Sequence, residues 1–318
     1  MRLLAGAAGC AQLAGLPAGR LSPVPAVPEL VAVAYGTPAR RAAPPPAPAP
    51  LPSVQGWRTT WSDVEHAAAV EHVRRAIARG DVYQVNVVGH RTAAHRADPR
   101  AVASAVAALP GASYGSVLSG DGWAVGCGSP EQLVRVDGSR ITTVPIKGTL
   151  PVAPGSREVL LASDKDRAEH IMIVDLQRND LSRVAVTGTV EVEVLYELVD
   201  WSGLWQAAST VAARTRDDAT ALDVLLALAP GGSVTGAPKR AACQVLGGLE
   251  PVGRGPSMGA LGLLWPGGLD LGLTIRTVGV DEDAVHLWAG GGITWSSDPA
   301  TEVQEAHAKA GPLLRALA

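Results

Sequence analysis

The stretch Ser163–Val184 reads SDKDRAEHIMIVDLQRNDLSRV. Ser163 is a helix-capping residue, and with Asp166 three positions later it forms a variant of the capping box. Asp164 and Asp166 suit the positive end of a helix dipole. Ile171, Ile173 and Val174 turn a second face toward a core. The stretch therefore predicts a long helix. Asp166 and Glu169, at i and i+3, share one side of it. Such a pair is ordinarily a solvated acidic face, here with Arg167 alongside.

Outward from this helix the pattern is mixed. Helices are predicted over Ser62–Arg79, Asp98–Leu109, Ala219–Leu228, Ala237–Leu246 and Pro299–Ala318, from caps and apolar periodicity. Strands are predicted at Asp81–Gly89, Ser116–Leu118, Gly122–Cys127, Glu131–Val136, Thr189–Leu198, Gly259–Trp265, Leu269–Val280 and Ala284–Ala289. Strands and helices come in irregular groups without strict alternation, which indicates α+β rather than a doubly wound sheet. Residues 1–56 stand apart. The run Ala42–Pro52 (AAPPPAPAPLP) can form neither helix nor central strand, and before it only Glu29–Tyr35 reads as a strand. A reduced, partly disordered N-terminal region (1–56) is expected, followed by a catalytic body from 57 to 318.

Composition narrows the function. The chain has 318 residues, a net charge of -3 and 47% hydrophobic residues, too apolar for disorder and not basic enough for an electrostatic nucleic-acid binder. No apolar run spans a bilayer, and three scattered cysteines make neither a disulfide framework nor a zinc site. A reducing, cytoplasmic setting is expected. The 27 basic residues include only four lysines, Lys147, Lys165, Lys239 and Lys309, so each lysine stands where arginine is otherwise preferred.

The final helix carries a second acidic pair, Glu302 and Glu305. If the fold joins both pairs, they make a carboxylate-rich site suited to Mg²⁺, which takes hard oxygen ligands and keeps waters. Pro230–Lys239 (PGGSVTGAPK) lacks the Walker spacing and reads as a helix-entry loop or an anion cradle. Gly290-Gly291-Gly292 follows a predicted strand and suits an anion-binding nest. Arg276 falls in a predicted strand with apolar neighbours, where it needs an anion: an internal acid or a ligand carboxylate. Lys147 is either a solvated strand-end lysine or a desolvated nucleophile, with Glu131 as an acid–base partner.

The segments DVYQVN (81–86), SPE (129–131), PIKGT (145–149), KDRAEHIMIVDLQRNDLSRV (165–184), PGGSVTGAPK (230–239), TIRT (274–277), GGGI (290–293) and the closing ExxE…K (302–309) resemble, in this order, the chorismate-utilising enzymes. These comprise the catalytic subunits of anthranilate and aminodeoxychorismate synthases and their isochorismate and salicylate synthase relatives. The resemblance implies an anthranilate synthase component I-like α+β fold, with large sheets packed face to face and helices outside. It implies Glu169 and Glu305 as Mg²⁺ ligands, with Glu302 and Asp166 as outer carboxylates. Arg276, Gly290, Gly291, Gly292 and Lys309 match carboxylate binders, and Gly148 and Thr149 belong to the same substrate site. Thr235 matches a loop closing over substrate. PIKGT resembles the aminodeoxychorismate synthase branch, in which the lysine is a covalent nucleophile toward chorismate. Isochorismate and salicylate synthases resemble each other in having Ala there and a water-activating Lys where this chain has Gln84. A separate glutamine amidotransferase is implied as the ammonia source, with no nucleic-acid or membrane partner.

Departures from the pattern set further expectations. Gln206 stands where the family has a His, so it can hydrogen-bond but not titrate. Leu263 replaces a Tyr expected near the carboxylate site, and Ala306 replaces a Thr. The usual N-P-x-P-[YF] segment is degraded to Leu109–Tyr114, so no tryptophan regulation is expected. The rivals are an enzyme forming anthranilate or 2-amino-2-deoxyisochorismate, and a catalytically impaired chorismate-binding remnant.

Overall fold

A computed structural model describes residues 1–36 and 53–318; the proline run at Ala42–Pro52 lies outside the described residues. In chain order the elements are β1 (Arg2–Ala5), α1 (Ala7–Leu13), β2 (Leu30–Val33), β3 (Arg58–Thr59), α2 (Asp63–Ala78), β4 (Gln84–Ala94), α3 (Pro99–Ala107), β5 (Ser116–Gly120), β6 (Trp123–Cys127), β7 (Gln132–Asp137), β8 (Arg140–Val144) and β9 (Ile146–Pro151). There follow α4 (Ser156–Ala162), α5 (Asp164–Ser182), β10 (Glu191–Trp201), β11 (Leu204–Arg214), α6 (Ala221–Leu228), α7 (Gly232–Thr235), β12 (Gly236–Ala237), α8 (Lys239–Leu249), β13 (Ala260–Trp265), β14 (Gly268–Leu273), β15 (Thr277–Val280), β16 (Ala284–Ile293) and α9 (Pro299–Ala316).

Two antiparallel sheets organise them. The larger runs β10-β11-β8-β7-β14-β13-β1-β2, with β9 also on β11; the smaller runs β12-β4-β16-β15-β6-β5, with β3 on β4. This is the expected α+β class. The main core draws Val88, Val125 and Cys127 from the smaller sheet and Leu133, Val134, Val211 and Leu271 from the larger, so the sheets share one apolar interior. On the outer side of the smaller sheet, Val102 and Val106 of α3 and Ala310 and Leu313 of α9 pack with Val278, Val285 and Leu287. Helix α2 is capped by Ser62 as expected, and Glu65 completes a capping box with it. Ser163 and Asp298 cap α5 and α9 through the amides of Asp166 and Thr301. Among the described residues no helix is long and apolar enough to cross a membrane.

Three elements differ from expectation. The strand predicted over Leu269–Val280 is two strands in different sheets. Arg276 adopts a left-handed backbone (φ 50), which ends the extended run and carries the chain from β14 across to β15. Gly290–Gly292 are not a nest after a strand. They lie inside β16, in register with Val88, Val87 and Asn86 of β4, and an extended ladder cannot gather successive amides on one anion. Residues before the proline run also join the larger sheet: Leu4 pairs with Leu261 of β13 on one side and Val31 of β2 on the other. A four-residue apolar strand beside Gly6 carries too little pattern to stand out in the sequence.

Candidate active site

Between the sheets lies a cleft of about 790 Å³, its open mouth included. Nearly every residue singled out in the sequence lines it: Glu131, Lys147, Gly148, Thr149, Asp166, Glu169, Gln206, Arg276, Gly290, Gly292, Glu302, Glu305 and Lys309. Asn86, Lys165 and Ser233, which fall inside the quoted motifs without an assigned role, line it too, as does Trp288, which no motif marks.

The two acidic pairs do converge. Helix α5 presents Glu169 and α9 presents Glu302, and the Lys165 ammonium stands 3.9 Å from the first and 3.8 Å from the second. Lys309 pairs with Glu305 one turn back along α9 and donates to the Gly290 carbonyl at 2.9 Å. Thr294 donates to Glu169 at 2.8 Å. Burial, and then the neighbouring Glu305 charge, push the Glu302 carboxyl up. Burial also works against the Glu305 carboxylate, yet the Lys309 ammonium holds it below the usual range.

This donor set is all oxygen and suits Mg²⁺. Among the described residues no three acidic, His or Cys side chains crowd closely enough to enclose an ion unaided. Mg²⁺ does not need that, because it retains waters and uses one or two carboxylates. Gly291 leaves the necessary room: a Cβ there would stand 3.0 Å from Glu302 Oε2 and 3.5 Å from Glu305 Oε1.

On the opposite side sits Lys147. It lies within β9, paired with Ala207 of β11, rather than after a strand end. Burial drives its ammonium pKa down, partly countered by Glu169, Glu305 and Glu302, while Lys309 lowers it further. Gly292 makes space for it, since a Cβ there would lie 2.2 Å from Lys147 Nζ. Glu131 is buried beneath, and burial raises its pKa to about 7 despite a hydrogen bond from Ser233 and the nearby Lys147 and Arg276 charges. Ser233 Oγ donates to Glu131 Oε1 at 2.7 Å, and Asn86 Nδ2 donates to the Ser233 carbonyl at 3.0 Å. The Ile146 backbone also hydrogen-bonds the Glu131 carboxyl, so the group is held in place from two sides at the cleft wall. Gln206 is buried in the cleft wall with its Oε1 unpartnered. Burial lowers the Arg276 pKa to about 10, and its Nη1 has no hydrogen-bond partner.

Other expected site residues lie elsewhere. Thr235 is buried but faces a second cavity, lined by α1, α8 and Arg254; its neighbours Ser233 and Val234 face the cleft instead. Four residues of short helix turn adjacent side chains to opposite sides, and sequence alone does not say which. Leu263 is 49% exposed on β13 and does not line the cleft, so its replacement of Tyr removes nothing there. Ala306 faces a small cavity with His66, His90 and His307. Lys239 is bonded to Asp180 of α5 at 2.8 Å and to the Leu228 carbonyl, anchoring the glycine-rich segment to the acidic helix.

Comparison with known proteins agrees with this geometry. Anthranilate synthase component I of Streptococcus pneumoniae superposes with a TM-score of 0.75 at 30% identity, over 83% of this chain and 60% of that one. A menaquinone-specific isochorismate synthase of Escherichia coli (TM-score 0.72, 22% identity, 85% of this chain and 65% of that one) shares the fold. Residues 26–315 match the chorismate binding enzyme family, and the chain belongs to it. Anthranilate synthase component 1 of Streptomyces coelicolor is 38% identical over 83% of this chain and 53% of its own length. Aminodeoxychorismate synthase component 1 of Escherichia coli is 36% identical over 82% and 59%. The chain thus spans between half and three fifths of the length of these curated relatives.

Proposed function

We propose that this protein is the catalytic component of an aminodeoxychorismate synthase, converting chorismate and ammonia to 4-amino-4-deoxychorismate. The observation that carries the reading is Lys147: a primary amine buried in the cleft, its pKa lowered, facing carboxylates that suit Mg²⁺. An amine must be neutral to attack, and desolvation favours the neutral form. Lys147 adds to C2 of chorismate as the 4-hydroxyl leaves. Glu131, protonated below about pH 7, gives that hydroxyl its proton and water departs. Ammonia then adds at C4 and expels the Lys147 amine, restoring the side chain. Arg276 and Lys309 bind substrate carboxylate. Glu169 and Glu305 would hold Mg²⁺, with Glu302 and Asp166 behind them, and the ion would supply Lewis-acid stabilisation of charge on a ring carboxylate. The relatives of both kinds are named as component 1, which supports a glutamine amidotransferase partner as the ammonia donor.

A second reading, anthranilate formation, has its own support in the 38% identity to the Streptomyces coelicolor anthranilate synthase component. Product analysis separates the two. Purified protein with chorismate, ammonium and Mg²⁺ yields a 4-amino product that an added lyase converts to p-aminobenzoate. Anthranilate in its place, or full activity after Lys147→Ala at limiting ammonia, overturns the proposal.

A further inference from the structure

Arg276 is buried, yet among the described residues no carboxylate pairs with it and its Nη1 has no hydrogen-bond partner. Its guanidinium carbon lies 4.5 Å from the centre of the Trp201 ring. Trp201, at the end of β10, has no exposed surface and belongs to the outer core beneath the smaller sheet. Both residues are tied to Gly128. Gly128 N–H donates to the Arg276 carbonyl at 3.0 Å, and the Gly128 carbonyl accepts the Trp201 indole N–H at 2.8 Å. Gly128 must be glycine for this joint to close: a Cβ there would lie 2.7 Å from the Val106 carbonyl and 3.3 Å from the Arg276 carbonyl. The left-handed backbone of Arg276 then turns its side chain back over the ring. Gly128 also precedes Ser129-Pro130-Glu131, so the joint that seats Arg276 is continuous with the segment that presents Glu131.

We propose that Trp201 is a positioning residue for substrate binding. Its ring face holds the Arg276 guanidinium in the plane that receives a ligand carboxylate, with Gly128 fixing both partners. A desolvated cation attracted by a ring quadrupole keeps its N–H edges free, whereas a cation paired with an acid spends them. Without the ring, the nearest attractions are the carboxylates of Glu305 and Glu131, whose charges already act on Arg276. The guanidinium then collapses onto one of them and is lost to substrate. The inference rests on chorismate being the ligand of the cleft.

The test is site-specific replacement of Trp201 by tryptophans carrying increasing numbers of fluorines. These keep the shape and the indole N–H but drain the ring face. Chorismate affinity is measured by calorimetry, with thermal midpoint and Arg side-chain NMR of the ligand-free protein. Affinity falls progressively, reaching about tenfold for the most fluorinated ring, with an unchanged thermal midpoint. In an Arg276→Ala background the same series has no further effect. Trp201→Phe, which keeps a face but loses the N–H, falls between wild type and the fluorinated extreme. Affinity independent of fluorination overturns the proposal. So does an Arg276 side-chain resonance with no ring-current shift in the ligand-free protein, whatever the ligand. A ring-current shift that fluorination diminishes, in a protein that binds no chorismate, supports the seat and refutes the chorismate reading instead.

Discussion

Gly292→Ala is the smallest change that tests whether Lys147 is the working group. The backbone of β16 is extended at Gly292, so alanine meets no conformational barrier there. The new methyl meets side chains instead: its carbon would lie 2.2 Å from Lys147 Nζ and 2.7 Å from Gln84 Nε2. An ordinary contact needs roughly 3.5 Å, so the amine must retreat by about 1 Å. Lys147 is a flexible chain and can yield, but Gln84 is fully buried with both amide atoms unpartnered and has little room to move. Overpacking of this kind costs about 1–2 kcal/mol of stability. The effect on chemistry is larger, because a 1 Å misplacement of a reacting group costs about a hundredfold in rate, or about 2.7 kcal/mol of transition-state stabilisation. The assay is steady-state amination of chorismate at saturating Mg²⁺ and ammonia, beside urea unfolding. A variant that folds, binds Mg²⁺ normally and turns over within a factor of two of wild type refutes the assignment of Lys147.

Gly291→Ala is the matched control: its methyl approaches Glu302 and Glu305 rather than Lys147, and Mg²⁺ affinity measured by calorimetry should fall several-fold with stability changed by less than about 1 kcal/mol. Lys165→Met removes an ammonium that lies between Glu169 and Glu302 and is 41% exposed on its side chain. The metal-free protein should lose up to about 1 kcal/mol at low salt, while Mg²⁺, with no cation to displace, binds a few-fold more tightly in calorimetry; weaker binding contradicts the displacement. Glu131 has its pKa raised from 4.5 to about 7 in the folded protein, so the native state holds that proton more tightly than the unfolded chain. The stability it contributes is complete below about pH 4.5 and is lost as pH rises through 7, amounting to about 3 kcal/mol. Glu131→Gln should therefore gain on wild type by about that amount between pH 4 and pH 8 in urea titrations, and a pH-independent difference excludes the shift. At constant free ammonia the same variant should lose the alkaline fall of kcat/KM along with most of the rate.

Much of this was legible before the fold was known, and the exceptions have physical reasons. Helix α5 and its acidic face follow from a cap, a dipole and an apolar period, all local signals. The meeting of that face with α9 is not local, and only the order of motifs announced it. The break at Arg276 escaped notice because its neighbours alternate correctly on both sides of it. What ends the strand is one residue's left-handed backbone, which composition does not mark. The three glycines invited a nest because glycine is common in turns. Here they serve as absent side chains inside a regular ladder. Ser233 was overshadowed by Thr235 within one decapeptide, since a four-residue helix offers no periodicity to choose between them.

The cleft draws its wall from Asn86 on β4 through to Lys309 on α9, with contributions from both sheets and both acidic helices between. No stretch of the chain owns it, so it has no independent existence as a loop or lobe. Such a site is a late product of folding, because nearly all its contacts join residues distant in sequence. For the same reason a ligand bound there acts as a rivet through the whole molecule. Hydrogen exchange should slow on occupancy across β4, β11 and β16 together, and only to the extent set by mass action on global unfolding. Occupancy and folding are then linked equilibria, and a variant weakened anywhere in either sheet is rescued by an amount that grows with the logarithm of ligand concentration, even after the cleft is full.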